Sequence, residues 1–258
     1  MKNIVKSLFR RLGFNLEHYL EINDDHAMFI KMLRTFGINS VFDVGANIGQ
    51  FGVLLREIGY RGKIISFEPL SNSHHKLVEL HSSDPLWLIA PQMAIGDYDG
   101  TVDINISNRP TSSTILNMLE THTEAAKDSF IVATETVEIH KLDTVSGKYI
   151  GKEDKIFLKV DTQGYEYQVL SGASNLLNSV IGIQLELSLT PLYADHKLYD
   201  EIIAKMKELG FELWSISNVF RNANTGRLLQ VDATFFRKAE IGIRKKIKVN
   251  EVQENINN

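Results

Sequence analysis

The stretch Val41-Phe-Asp-Val-Gly-Ala-Asn-Ile-Gly-Gln-Phe51 decides how this chain folds. An apolar run carries an acid, Asp43, at its end and then turns through Gly45 and Gly49 into a helical pattern. Glycine permits positive φ and close approach of a ligand to backbone, so such a crossing suits a nucleoside-containing cofactor. The glycine spacing narrows the choice. A dinucleotide fingerprint, G-x-G-x-x-G, needs glycine at 45, 47 and 50. The chain has Gly45, Asn47 and Gln50 there, with further glycines at 49 and 52.

Outward from this turn, short apolar strands alternate with helices. Strands are predicted at Val41–Val44, Lys63–Phe67, Leu86–Ala90, Ile156–Val160, Ile183–Leu187 and Phe211–Ile216. Helices are predicted from Asn23 or Asp24 to Phe36 and at 49–58, 71–81, 166–170 and 198–209. This alternation argues for a parallel sheet covered on both faces. Leu228–Phe236 reads as a last strand returning antiparallel. Gly100–Ser107 and Ile131–Ile139 favour strand and interrupt the alternation, with a loop at 108–114, so this region reads as an insertion or a substrate-side excursion. The expected organisation is a helical segment at 1–37 packing on the core, one domain at 38–238 and a polar tail at 239–258.

The 258 residues suffice for one substantial core. A formal charge of −4 supplies no global basic field for nucleic acid, and the absence of cysteine excludes disulfides and thiolate chemistry. No apolar run is long enough to span a bilayer. Lys2, Lys6, Arg10 and Arg11 alternate with apolar residues in a basic amphipathic pattern, read as a helix lying on the domain, with peripheral membrane contact as the alternative. A cytoplasmic protein is expected. The basic run Arg244-Lys-Lys-Ile-Lys248 reads as a solvated tail.

The D-x-G-x-N-x-G pattern at 43–49 resembles the first motif of S-adenosylmethionine-dependent methyltransferases. On that reading Asp43 orients the glycine turn and favours the cofactor's positive amino end. Glu68 ends the second strand, where a carboxylate can accept hydrogen bonds from both ribose hydroxyls. Ile95 can lie against adenine, and Asp97 can accept its amino group. For Asp97 an ordinary turn is an equal alternative.

Six motifs in order, Asp43-Val-Gly-Ala-Asn-Ile-Gly49, Phe67-Glu-Pro69, Ala94-Ile-Gly-Asp97, Ser112-Ser-Thr-Ile-Leu116, Leu142-Asp143 and Leu158-Lys-Val-Asp-Thr-Gln-Gly-Tyr-Glu166, make the chain similar to FkbM-type methyltransferases from about residue 41 to 238. The resemblance implies a Rossmann-like class I methyltransferase fold, a mostly parallel seven-stranded sheet with an antiparallel last strand. It also implies S-adenosylmethionine as cofactor and methyl transfer to a hydroxyl of a sugar, glycan or natural product. Asp43, Gly45, Asn47 and Gly49 then match the cofactor turn, Glu68 the ribose acid and Asp97 the adenine contact. The family's common D-V-E-G is Asp161-Thr-Gln-Gly164 here, so a carboxylate is lost at Gln163 and its role passes to Asp161 or Glu166.

A hydroxyl is a poor nucleophile, and a proton acceptor beside it helps. Asp161, at the end of Ile156–Val160, is the first candidate. Lys159, on the same face, can polarise the oxygen or pair with Asp161, and Glu186 is an acid inside an apolar strand whose burial suits proton acceptance. Asp97, Asp161 and Glu186 are hard ligands suited to magnesium, but no spacing demands an ion and none is expected. His74, His75 and His196 read as surface or substrate-rim groups. Two other readings stay open: a non-catalytic binding module on the same scaffold, and an NAD-dependent oxidoreductase, which shares the strand-end acid but is disfavoured by Asn47 and Gln50.

Overall fold

The computed structural model describes residues 24–81 and 83–238. The amphipathic 1–20 segment and the basic tail lie outside the described residues. Asp24 caps helix α1 (Asp25–Thr35), its side chain accepting from the backbone N–H groups of His26 and Ala27. There follow β1 (Ser40–Val44), α2 (Gln50–Glu57), β2 (Lys63–Phe67), α3 (Ser71–His81) and β3 (Trp87–Ile89). The middle of the chain forms β4 (Ala94–Gly96), β5 (Gly100–Ser107), α4 (Glu120–Ala125), β6 (Ile131–Lys141) and the short α5 (Leu142–Val145). The alternation resumes with β7 (Ile156–Val160), α6 (Glu166–Ser171), β8 (Val180–Ser188), α7 (Tyr199–Glu208), β9 (Phe211–Arg221) and β10 (Leu228–Arg237).

The main sheet has seven strands in the order β3-β2-β1-β7-β8-β10-β9, and β10 runs antiparallel to both of its neighbours. The fold is therefore the class I methyltransferase arrangement, with the last strand inserted between β8 and β9. Side-chain alternation builds two cores. Phe42, Ile65, Leu158, Ile183 and Phe235 face α5, α6 and α7, whereas Val41, Ile64, Phe157 and Phe236 face α1, α2 and α3. Helix α1 belongs to the second core. Phe29 packs edge-on to Phe157 at 5.5 Å, and Phe36 at its end stacks on Phe236 at 4.1 Å.

Residues 94–141 contain a second, three-stranded sheet in the order β4-β6-β5. Two parts of this region escape the sequence pattern. β4 is only three residues long and contains a glycine, and α4 has too few turns to show a period. Backbone bonds between Asn105 and Thr114 fold the loop after β5 back on that strand, so the loop stands over the carboxyl end of the main sheet. Among the described residues no helix is long and apolar enough to cross a membrane.

Candidate active site

Strand order reverses between β1 and β7, because the chain leaves β1 toward β2 on one side while β7 pairs with it on the other. Open α/β sheets hold ligands in the crevice at such a point. A cavity of about 410 Å³ lies there, bounded by the β1–α2 turn, the end of β2, the end of β7 and the loop after β5. This is within the usual range of small-molecule sites.

At one end the turn 45–49 is fixed by backbone. The N–H groups of Gly45 and Ala46 both donate to the Phe67 carbonyl at 3.0 Å. Gly45, at φ +81°, could not carry a side chain, since a Cβ would fall 1.9 Å from the Asp161 carbonyl oxygen. Gly49, at φ +95°, opens α2, and its Cβ would meet His81 and Leu77 of α3 within 2.8 Å. The two glycines thus serve packing of β1 on β7 and of α2 on α3. Gly45 also lines the cavity, whereas Gly49 does not.

Glu68 does line it, with 5% exposure. Its Oε2 accepts from the Asn47 N–H at 2.8 Å and its Oε1 from the Leu70 N–H at 3.0 Å. Each oxygen retains a further lone pair for a ligand donor. Burial pushes this carboxyl up to about 7, against the pull of those two bonds. Asp43 lines the cavity near the end of β1, almost fully buried, where it accepts from the Ser66 hydroxyl at 3.3 Å, and burial lifts it to about 6 against the opposing charge of Lys159. Ile95, Met93 and Phe67 supply an apolar wall beside them. Acids for a diol and a cationic group, set next to an apolar surface, fit S-adenosylmethionine.

Asp97 is not part of this end. It is exposed and outside the cavity lining, because the chain turns there from β4 into β5. Asp99 is the acid that organises that turn, accepting from His140, Lys141 and Thr144.

The other end centres on Lys159, which is 4% exposed. Its Nζ lies 3.0 Å from Asp161 Oδ2 and 4.0 Å from Asp232 Oδ1, above the Phe51 ring. Burial works against its charge, but Asp161, Asp232, Glu186 and Asp43 together outweigh burial and hold the ammonium well above its ordinary range. Asp161 also accepts from Gln163 Nε2 at 2.9 Å, and the same Nε2 reaches Glu186 Oε2 at 2.7 Å. Glu186 receives a second amide, from Gln230, at 2.8 Å. It lies behind Gln163 rather than on the cavity lining, and burial among neighbouring acids raises it well above the usual carboxylate value.

Several of these residues were not legible as site residues. Gln163 reads in sequence as a lost carboxylate, yet it holds two carboxylates together at a left-handed φ of 54°. Asp232 lines the cavity from β10, and its only sequence signal is the alternation of Gln230, Asp232 and Thr234 with apolar neighbours. Glu166 spends its carboxylate on the 162–164 turn, accepting from the N–H groups of Thr162 and Gly164. His196 is buried rather than on a rim, its Nδ1 accepting from the Tyr193 N–H at 3.0 Å. His74 is likewise half-buried and donates to the Ala90 carbonyl at 2.8 Å, while His75 is exposed.

The family model of the methyltransferase FkbM domain matches residues 43–213 of this chain. The hexuronic acid methyltransferase AglP of Haloferax volcanii is 26% identical to it over 173 residues, which is 63% of this chain and 64% of that protein. The chain therefore spans less than two thirds of that relative's length. Among solved structures, magnesium protoporphyrin IX methyltransferase from Synechocystis, with bound SAM, is 11% identical at a TM-score of 0.43, covering 92% of this chain and 97% of the other. An rRNA methylase from Streptococcus thermophilus is 10% identical at a TM-score of 0.44, covering 84% and 98%.

Proposed function

This chain belongs to the FkbM methyltransferase family, and from that membership we propose that it methylates a hydroxyl oxygen of a sugar or glycan. The methyl donor is S-adenosylmethionine. The likeness to a hexuronic acid methyltransferase supports a sugar-type acceptor. The observation that carries the reading is the placement of Asp161, a carboxylate held on two sides and still open to the cavity.

Glu68 and Asp43 would hold the cofactor at the glycine-turn end, beside the apolar wall that includes Ile95. When bound, the cofactor supplies an electrophilic methyl carbon, which bonds to the acceptor oxygen as the carbon–sulfur bond breaks and its electron pair stays on sulfur. Asp161 takes the proton that the acceptor oxygen loses. Lys159 and Gln163 fix the two Asp161 oxygens. A weak base suffices, because the hydroxyl becomes strongly acidic once its oxygen bonds to the methyl group. Lys159 keeps its proton and orients. Positioning of acceptor and donor in line supplies the larger share of the acceleration, up to roughly 7–11 kcal/mol.

The test is transfer of labelled methyl from the cofactor to glycosides by wild type and Asp161→Asn. Wild type should label an acceptor hydroxyl, and the variant should lose about 10²–10⁴ in kcat with cofactor affinity unchanged. Full turnover in the variant would remove Asp161 from the reaction.

A further inference from the structure

We propose that the acceptor is a neutral polyhydroxylated sugar rather than a uronic acid, and that Asp232 is the residue that sets this specificity. The inference rests on the methyl-transfer reading above and concerns the charge of the group that reading admits.

Among the described residues lining the cavity, the charged side chains are Asp43, Glu68, Lys159, Asp161 and Asp232. Asp43 and Glu68 flank the glycine turn, where their charge suits a cationic cofactor. The remaining end has two carboxylates and one cation. That cation is already engaged, since Lys159 Nζ lies 3.0 Å from Asp161 and 4.0 Å from Asp232. A carboxylate on the acceptor would find no free partner in the lining and would enter an end where two carboxylates face one ammonium. Arg109, next in sequence to the lining residue Pro110, is itself outside the lining.

A hydroxyl meets the opposite situation. Among the described residues nothing donates a hydrogen bond to the buried Asp232 Oδ1, and Lys159 Nζ, at 4.0 Å, is beyond hydrogen-bond reach. An ionised carboxylate only accepts, so a ligand donor is what completes it. A buried acceptor left without a donor is costly, and a hydroxyl beside the reacting one relieves that cost. Thr111, Ser113 and Thr114 form part of the facing wall and bring no charge to it; the Thr114 hydroxyl donates to the Gln163 carbonyl at 2.7 Å. Asp232 reaches this place because β10 is inserted beside β8, where Asp232 pairs in register with Glu186.

The experiment measures methyl transfer by the full chain to matched pairs of glycosides, each a neutral hexoside and the uronide differing only at C6, over several hexose configurations. The neutral member should be preferred by at least about 30-fold in kcat/KM, the scale of like-charge repulsion a few ångströms away at a partly screened site. Asp232→Asn, checked for unchanged cofactor binding, should narrow that ratio by about 10-fold or more, because it removes one of the two charges. Arg109→Ala should leave the ratio where it is. A uronide used as well as or better than its neutral partner overturns the inference while leaving hydroxyl methylation standing, as does loss of uronide transfer in Arg109→Ala. Failure to label any member of the panel overturns the sugar-methylation reading, and this inference with it.

Discussion

Tyr193 donates its phenolic hydrogen to Gln163 Oε1 across 2.6 Å. With its carbonyl oxygen so occupied, Gln163 turns its amide nitrogen toward Asp161 and Glu186, which can only accept when ionised. One neutral side chain thereby separates two acids that would otherwise repel. Tyr193 is itself immobilised, 1% exposed and flanked by the rings of His122 and His196.

Gln163→Glu replaces the shared donor with a third carboxylate. Turnover should fall roughly 10- to 100-fold, the worth of a hydrogen bond to a charged group, with cofactor Kd unchanged. Tyr193→Phe, which keeps the amide but frees its orientation, should show a smaller loss in the same assay. Wild-type turnover in Gln163→Glu would show that the amide positions nothing.

Glu68→Ala should weaken cofactor binding by about 1.5–3 kcal/mol, read by titration calorimetry. It also frees the Asn47 and Leu70 N–H groups, so a lowered melting temperature without added cofactor should accompany the change. An unaltered affinity would confine Glu68 to holding the turn.

Asp43 gives a pH signature in stability. Burial raises its folded value to about 6 from an ordinary 3.8, so the native state holds this proton more tightly than the unfolded chain. Its contribution is fully present below about 3.8 and is lost as pH rises through about 6. Asp43→Asn lacks this dependence. The variant's stability relative to wild type should therefore improve by up to about 3 kcal/mol between acid and neutral pH, measured by urea unfolding at each. A difference that stays constant with pH would show that Asp43 is not shifted.

Leu33→Ala tests whether α1 is integral to the domain. Leu33 is 1% exposed in the core that contains Val41, Phe157 and Phe236. Its truncation should cost about 2–5 kcal/mol in a single cooperative transition. A separate early transition would mark α1 as an independently melting appendage.

Local chemistry made much of this protein readable. Lys63–Phe67, Ser71–His81, Gly100–Ser107 and Ile156–Val160 occur with the bounds that their hydrophobic pattern predicts. The turn around Gly45 and the acid at Glu68 both stand at the cavity because a strand end is a local event. What escaped depends on strands far apart in sequence. Asp232 faces the cavity only because β10 enters between β8 and β9, which no local pattern encodes. Gln163 appears as a departure from a motif until Tyr193 and Glu186 are brought beside it. Asp97 shows the converse, an acid at a plausible spacing that a tight connection turns toward solvent.

Insertion of β10 also has a consequence for biosynthesis. The strand that carries Asp232 follows every other described strand of the main sheet and lies between β8 and β9. While the polypeptide is still emerging, the glycine turn and the ends of β2 and β7 can form from the earlier strands, but the cavity wall contributed by β10 cannot. Until residues 228–237 have left the ribosome, the cavity lacks the wall that Asp232 supplies.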